Sequence, residues 1–466
     1  MTSAEALAAL KSAVGDGGWT EDPAEIAPWL TEWRNRWTGH TPLMLLPRST
    51  AQVAAAVRVC HEHRIPLVTQ GGGTGLVGGQ VPHGEVLLST RRMRAVRDVT
   101  PLDDAMTVEA GVTLLEAQQA AAAEDRLFPL SLAAEGTATV GGAVSTNAGG
   151  TAVLRYGVMR DLVLGLEAVL PDGEIFHGLK RLRKDNTGYD LKQLLIGAEG
   201  TLGVVTAATL KLFPVMRGRA TAMVGLDSPA AAIELLARAK AETGGGVEAF
   251  ELMKRLGMEF VLAHIPDTRE PLDSTPPWYV LIELVSGEPA AAGAAMERLL
   301  GDAFEAGLVT DAVVAQTEAQ RAALWKLREE QSAAQKPEGG GWKHDLSVPI
   351  SRIPAFLDEA EAALERFHPG ARISVFGHVG DGNLHYDVLR PPGQDLGAFL
   401  ARWAEGSEVV HDIVARYDGS ISAEHGLGRL KTEEARRYKT PLEIRTMQAV
   451  RAALDPHRIM NPAVLF

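Results

Sequence analysis

With 466 residues and apolar and charged fractions ordinary for a globular protein, the chain has material for two or three domains. A formal net charge of -13 without a lysine- or arginine-rich block argues against nucleic acid, and the lone Cys60 excludes an internal disulfide, a Cys-x-x-Cys zinc site and a protein-ligated iron–sulfur cluster. The start Met1-Thr2-Ser3-Ala4-Glu5 lacks a signal-peptide pattern and no apolar run approaches the ~20 residues that span a bilayer, so no transmembrane segment and a soluble cytoplasmic enzyme are expected.

Residues 1–38 read as an N-terminal helical segment: an alanine-rich amphipathic helix, then Trp29, Trp33 and Trp37 at four-residue spacing as a packing stripe. From Pro42 strand and helix alternate, with LMLLP and IPLVTQ as buried strands around a helix from Ala51 to His63. Residues 39–217 are therefore expected to form an α/β domain.

Directly after the second strand come Gln70, Gly71, Gly72, Gly73, Thr74, Gly75, Leu76, Val77, Gly78, Gly79 and Gln80. Glycines without Cβ let a pyrophosphate lie against backbone N–H groups, and the run matches neither the Rossmann nor the P-loop pattern. A second small-residue region begins at Pro129 and Leu130 and runs through Gly136, Thr137, Gly141, Gly142, Thr146 and Asn147 to Gly150. A third lies at Gly197–Thr206, including Glu199, Gly203 and Val204. Three such turns in one region suit an extended dinucleotide better than a mononucleotide.

Near Arg217 the composition shifts to strands such as WYVLIELVSG between alanine-rich helices, an α+β pattern assigned to residues 218–415. Residues Thr317 to Ala334 read as one helix carrying Trp325, Arg328 and Ser332 on a shared face, where an arginine beside a hydroxyl could hold a carboxylate. Alternation in Trp342–Pro349 points Lys343, Asp345 and Ser347 one way, as a polar pocket wall or an exposed sheet face.

The densest chemistry follows in Gly377-His378-Val379-Gly380-Asp381-Gly382-Asn383-Leu384-His385-Tyr386-Asp387, where two imidazoles bracket a tight glycine turn. Ser422-Ala423-Glu424-His425-Gly426-Leu427-Gly428 adds a carboxylate and a third imidazole. Two histidines and a glutamate suit a borderline divalent cation such as zinc, with positions left open for substrate. Residues 416–466 close the chain as a C-terminal segment.

In order, QGGGTGLVGG, GTATVGGAVSTNAGG, LRYG, LRKDNTGYDLKQLLIGAEGTLGVVT, GHVGDGNLH, SAEHGLGR and the terminal MNP resemble the FAD-linked D-2-hydroxyacid dehydrogenases of the vanillyl-alcohol oxidase superfamily. The resemblance runs from about Trp33 to Asn461, with the branch acting on D-2-hydroxyglutarate nearest and D-lactate and glycolate dehydrogenases close. It implies an α+β protein: an FAD domain of two α/β subdomains, a cap domain, and a C-terminal segment returning to the FAD domain. Gly71 to Gly75 would hold the pyrophosphate, and the later glycine segments with Asn461 would line the rest of the cofactor. Members with covalent flavin carry a histidine where this chain has Gly73, so non-covalent FAD is expected.

By the same resemblance His378, His385 and Glu424 bind a divalent metal, His425 is the general base, and Arg328, Ser332 and Lys343 contact substrate carboxylates. A buried unpaired lysine is costly, so Lys343 points to a dicarboxylate such as 2-hydroxyglutarate or malate. Asp387 departs from the family, which has asparagine there and uses it to reach substrate, and this raises an altered substrate. The competing readings are a D-lactate or glycolate dehydrogenase, a zinc hydrolase, and a transferase resembling flavin-dependent ether-lipid synthases. Expected partners are a small 2-hydroxyacid, an acceptor such as an electron-transfer flavoprotein, a quinone or oxygen, and a second copy in a homodimer.

Overall fold

The computed structural model describes residues 3–465; Met1, Thr2 and Phe466, at the outer ends of the expected terminal segments, lie outside the described residues. The chain divides into two compact units, one of Met1–Gly150, Tyr156–Val215 and Glu424–Phe466, the other of Thr151–Arg155 and Met216–Ala423. Among the described residues no helix is long and apolar enough to cross a membrane.

In the first unit, Ser3 caps the helix Ala4–Val14 and Ser49 caps Thr50–His63, each hydroxyl accepting an N–H of the first turn. The buried faces of these helices, including Leu10, Val14, Val53, Val57 and Cys60, pack with Leu67 and Val86 of the adjoining strands. Each such side chain contributes roughly 1.5–3 kcal/mol by leaving water. Burial pushes the Cys60 thiol up to about 12, which makes it a packing residue rather than a nucleophile. The strands run in the order Trp19–Thr20, Met44–Leu45, Val86–Ser89, Leu67–Gln70, parallel except for the first pair. A second sheet, Val96–Thr100, Ala105–Glu109, Val204–Lys211, Val163–Val169 and Ile175–Gly178, is antiparallel throughout.

The C-terminal segment pairs with the first of these sheets. Leu67 N–H donates to Ile459 O at 2.8 Å and Asn461 N–H to Leu67 O at 2.8 Å. The first unit resumes at Glu424, where the sequence reading put the change at 416.

The tryptophan stripe is not found. Pro23 opens a short helix to Ile26, Ala27–Trp29 is a 3-10 turn containing Pro28, and Thr31 bridges Thr38 across a tight turn. With Trp33 inside that turn the four-residue spacing aligns no helical face: Trp33 is 64% exposed, whereas Trp29 packs against Ile26 and Met44.

The second unit is built on one antiparallel seven-stranded sheet in the order Asp311–Val314, Gly218–Leu226, Trp278–Ser286, Val247–Lys254, Arg372–Gly377, Asn383–Leu389, Gly341–Ser347. The helix expected from Thr317 to Ala334 is shorter. Thr317 caps it, it spans Glu318–Glu329, and the chain then runs in turns toward Pro337 and three glycines that disfavour further helix. Arg328 is buried on that helix, whereas Ser332 lies beyond its end and is exposed, so the two do not share a helical face.

Candidate functional site

In the first unit the three glycine-rich segments converge. Gly72 packs so closely on the second segment that a Cβ there would lie 2.0 Å from the Thr137 carbonyl oxygen, and a Cβ on Gly71 would meet Thr139 Oγ1 at 2.2 Å. Thr139 in turn caps the helix Val140–Thr146, which carries Gly141, Gly142 and Thr146, and Asn147 closes it in the left-handed conformation. Among the described residues, no backbone N–H from Gly71 to Leu76 donates to another backbone group, which leaves a run of donors for an anion.

The third segment is tied in through Glu199, whose N–H donates to Ser145 O at 2.8 Å. Its carboxylate accepts Leu427 N–H at 2.9 Å and Gly428 N–H at 2.8 Å. Burial pushes the Glu199 carboxyl up, opposed by those two backbone donors and Lys431. Asn461 Nδ2 donates to Gly79 O at 3.0 Å and to Glu199 O at 2.8 Å, joining three segments with one amide. Gln70 Nε2 donates to Trp29 O and Gln80 O, and Gln80 Nε2 to Gly75 O at 2.8 Å. Pro129, Leu130, Gly150, Gly203 and Val204 are buried in the same unit, whereas Gly136 and Thr137 are exposed. Thr69 Oγ1, Gln70 Oε1 and Asn461 Oδ1 are buried polar atoms with no hydrogen-bond partner among the described residues. Orphaned acceptors beside unpaired N–H donors fit a bound group with both phosphate and hydrogen-bonding edges, as FAD has.

In the second unit the register of the sheet builds the polar cluster. Leu252 pairs with Gly377, which sets Glu251 beside His378, and Asn383–Leu389 returns from the glycine turn carrying His385 opposite Asp345 and Asp387 opposite Lys343. The rings of His378 and His385 stand 6.0 Å apart. Ala423 N–H reaches Asp345 O at 3.4 Å and Ser347 bridges Ser420, which holds the end of this unit on the same sheet. His378 and His385 thus set two imidazoles of this unit side by side, nitrogen donors of the kind that fit a divalent cation. His425 follows Glu424 directly and is partly buried.

Two residues absent from the sequence-based site hold these side chains. Glu251, wholly buried, accepts from His378 Nδ1 at 2.6 Å and from Arg328 Nε at 2.6 Å. Burial alone would raise its carboxyl, but His378 and Arg328 outweigh that and bring it down to about 2. Gln335 accepts from Lys343 Nζ and donates to Ser374 Oγ at 3.4 Å. Neither carried a signal, since Glu251 sits in an apolar strand and Gln335 in an irregular turn.

Lys343 is not unpaired. Its Nζ donates to Asp387 Oδ2 at 2.7 Å, and Asp387 is 3% exposed. The inference from a lone buried lysine to a dicarboxylate substrate therefore loses its premise, and Asp387 faces a cation instead of standing alone.

Residues 41–178 match the family described as FAD binding domain, and residues 215–465 the one described as FAD linked oxidases, C-terminal domain. The chain belongs to the FAD-linked oxidases. It is 37% identical over 449 residues to a D-2-hydroxyglutarate dehydrogenase of Xanthomonas citri pv. viticola, covering 96% of this chain and 93% of that one. It is also 37% identical over 466 residues to the mitochondrial D-2-hydroxyglutarate dehydrogenase of Bos taurus, covering 99% and 83%. In three dimensions it is similar to p-cresol methylhydroxylase with substrate bound, with a TM-score of 0.76 at 15% identity over 99% and 96% of the two chains. That likeness speaks for the fold alone, which is the vanillyl-alcohol oxidase type. By family and relatives together, the chain is an FAD-dependent D-2-hydroxyacid dehydrogenase.

Proposed function

We propose that the chain oxidises D-2-hydroxyglutarate to 2-oxoglutarate with non-covalent FAD and a divalent cation, zinc by its donor set. The observation that carries the metal reading is the pairing of His378 and His385, their rings 6.0 Å apart, and Glu424 is the third donor of the proposed set. The substrate reading leans on the printed names of the relatives. Held along Gly71 to Gly75, FAD would supply the hydride acceptor, and a cation held by His378, His385 and Glu424 would supply Lewis acidity toward the substrate hydroxyl.

The chain's own residues do the rest. His425 takes the hydroxyl proton as general base, and Arg328 and Lys343 bind the substrate carboxylates. Gly71 to Gly75 offer N–H donors to the pyrophosphate, and Gly73 stands where covalent members carry a histidine, with no nucleophile of its own. With Cys60 the only cysteine, no protein-ligated iron–sulfur cluster relays electrons, and the acceptors that fit are an electron-transfer flavoprotein, a quinone or oxygen. The same reading has the chain act as a cytoplasmic homodimer.

Anaerobic mixing with D-2-hydroxyglutarate, D-malate and D-lactate, with and without chelator, tests it. Flavin bleaching fastest with D-2-hydroxyglutarate and abolished by chelator is expected. Fastest bleaching by D-lactate would overturn the substrate, and indifference to chelator would overturn the metal.

A further inference from the structure

We propose that Glu251 is a positioning residue that fixes the tautomer of His378 for metal binding and ties that ligand to Arg328. The proposal rests on the metal reading above, which names His378 but gives Glu251 no part. Glu251 lies on Val247–Lys254, and the pairing of Leu252 with Gly377 sets its carboxylate against the start of the His378 turn. It is wholly buried, and its two oxygens are divided: Oε1 faces His378 Nδ1 at 2.6 Å and Oε2 faces Arg328 Nε at 2.6 Å.

Arg328 can only donate, so one oxygen is committed as acceptor. The other lies against an imidazole nitrogen, and an ionised carboxylate has only acceptors to offer it. The proton of neutral His378 therefore sits on Nδ1, and Nε2 keeps the lone pair that a cation needs. The same carboxylate anchors a guanidinium at Nε, which orients the remaining N–H fork of Arg328. One buried residue thus sets a metal ligand and a candidate carboxylate binder together.

The Glu251→Gln variant discriminates because an amide has one acceptor and two donors. Arg328 Nε takes the single carbonyl oxygen, so the amide NH2 turns to His378 Nδ1, and the ring proton moves to Nε2. Glu251→Asp keeps two acceptor oxygens on a shorter arm. FAD-loaded wild-type and variant proteins are titrated with Zn2+ against a chromophoric chelator, and Co2+-loaded samples are compared by their visible absorption.

Wild-type protein is expected to bind one Zn2+, Glu251→Gln to bind it about 10- to 100-fold more weakly with an altered Co2+ spectrum, and Glu251→Asp to fall between. The KM of Glu251→Gln for the hydroxyacid is also expected to rise as Arg328 exchanges an ionic anchor for a weaker neutral one. Equal Zn2+ affinity and unchanged Co2+ spectra in wild-type and Glu251→Gln would overturn this role while leaving the metal reading intact. A wild-type protein that binds no Zn2+ would overturn the metal reading and this role with it. Should Glu251→Gln not fold, Glu251→Gln/Arg328→Gln removes the uncompensated guanidinium, and the same comparison of Zn2+ affinity decides.

Discussion

The two units meet their chemistry with different materials. In the first, the candidate cofactor surface is main chain: unpaired N–H groups from Gly71 to Leu76, Gly72 pressed on the Thr137 carbonyl, and Leu427 and Gly428 N–H groups held by Glu199. In the second it is side chain: His378 and Arg328 on Glu251, Lys343 on Asp387 and Gln335, each from a different strand, helix or turn. A backbone site needs glycine, so its composition betrays it. A side-chain site needs only that register bring ordinary residues together.

The largest effect expected from testing this contrast is at His385. Replacing it with alanine removes a proposed metal ligand, expected to be worth about 4 kcal/mol of transition-state stabilisation, a drop of roughly 10^3-fold in kcat/KM while flavin absorbance is retained. Retained activity in steady-state assays would remove the side-chain site from the chemistry.

Next is the backbone site. Gly72→Val places atoms against the Thr137 carbonyl and costs about 3 kcal/mol, roughly a hundredfold in FAD affinity by flavin fluorescence titration, with the second unit unaffected. A variant that keeps wild-type FAD affinity would show that this contact does not shape the cofactor surface.

A smaller change is expected at Asp387, whose bond to Lys343 would compete, on the proposed reading, with the far carboxylate of a substrate. Asp387→Asn releases the ammonium, so the kcat/KM ratio of D-2-hydroxyglutarate over D-lactate should rise by about 1.5 kcal/mol, near tenfold. An unchanged ratio would mean that the pair lies outside the substrate's reach.

The smallest effect is on stability against pH. Because the folded-state carboxyl of Glu199 is raised above its unfolded value, the folded state holds the proton more tightly between the two pKa values. That contribution is present below the ordinary carboxylate range and is lost as pH rises through the folded value. Glu199→Gln carries no such loss, so its Tm should gain on wild type as pH climbs from 4 toward neutrality; parallel Tm curves would argue against a buried, strained carboxylate.

The sequence by itself determined much of this protein. Glycine placement pointed to the candidate cofactor turns, since no other residue tolerates such close backbone approach, and the histidines around Gly380 and Gly382 pointed to the metal candidates, since few residue types can ligate. Long motifs in order determined the family. Local rules failed where several elements compete: the helix past Glu329 has the right spacing but stops ahead of Pro337 and three glycines, and the Trp29–Trp37 stripe falls on a 3-10 turn and a tight turn instead of one helix.

Only the tertiary structure decided the partners. That Glu251 faces His378 follows from pairing between strands more than a hundred residues apart in sequence, and that Asp387 neutralises Lys343 follows from the register of Gly341–Ser347 on Asn383–Leu389. Burial then makes those partners matter, because a charge removed from water must find an opposite charge or a hydrogen bond nearby.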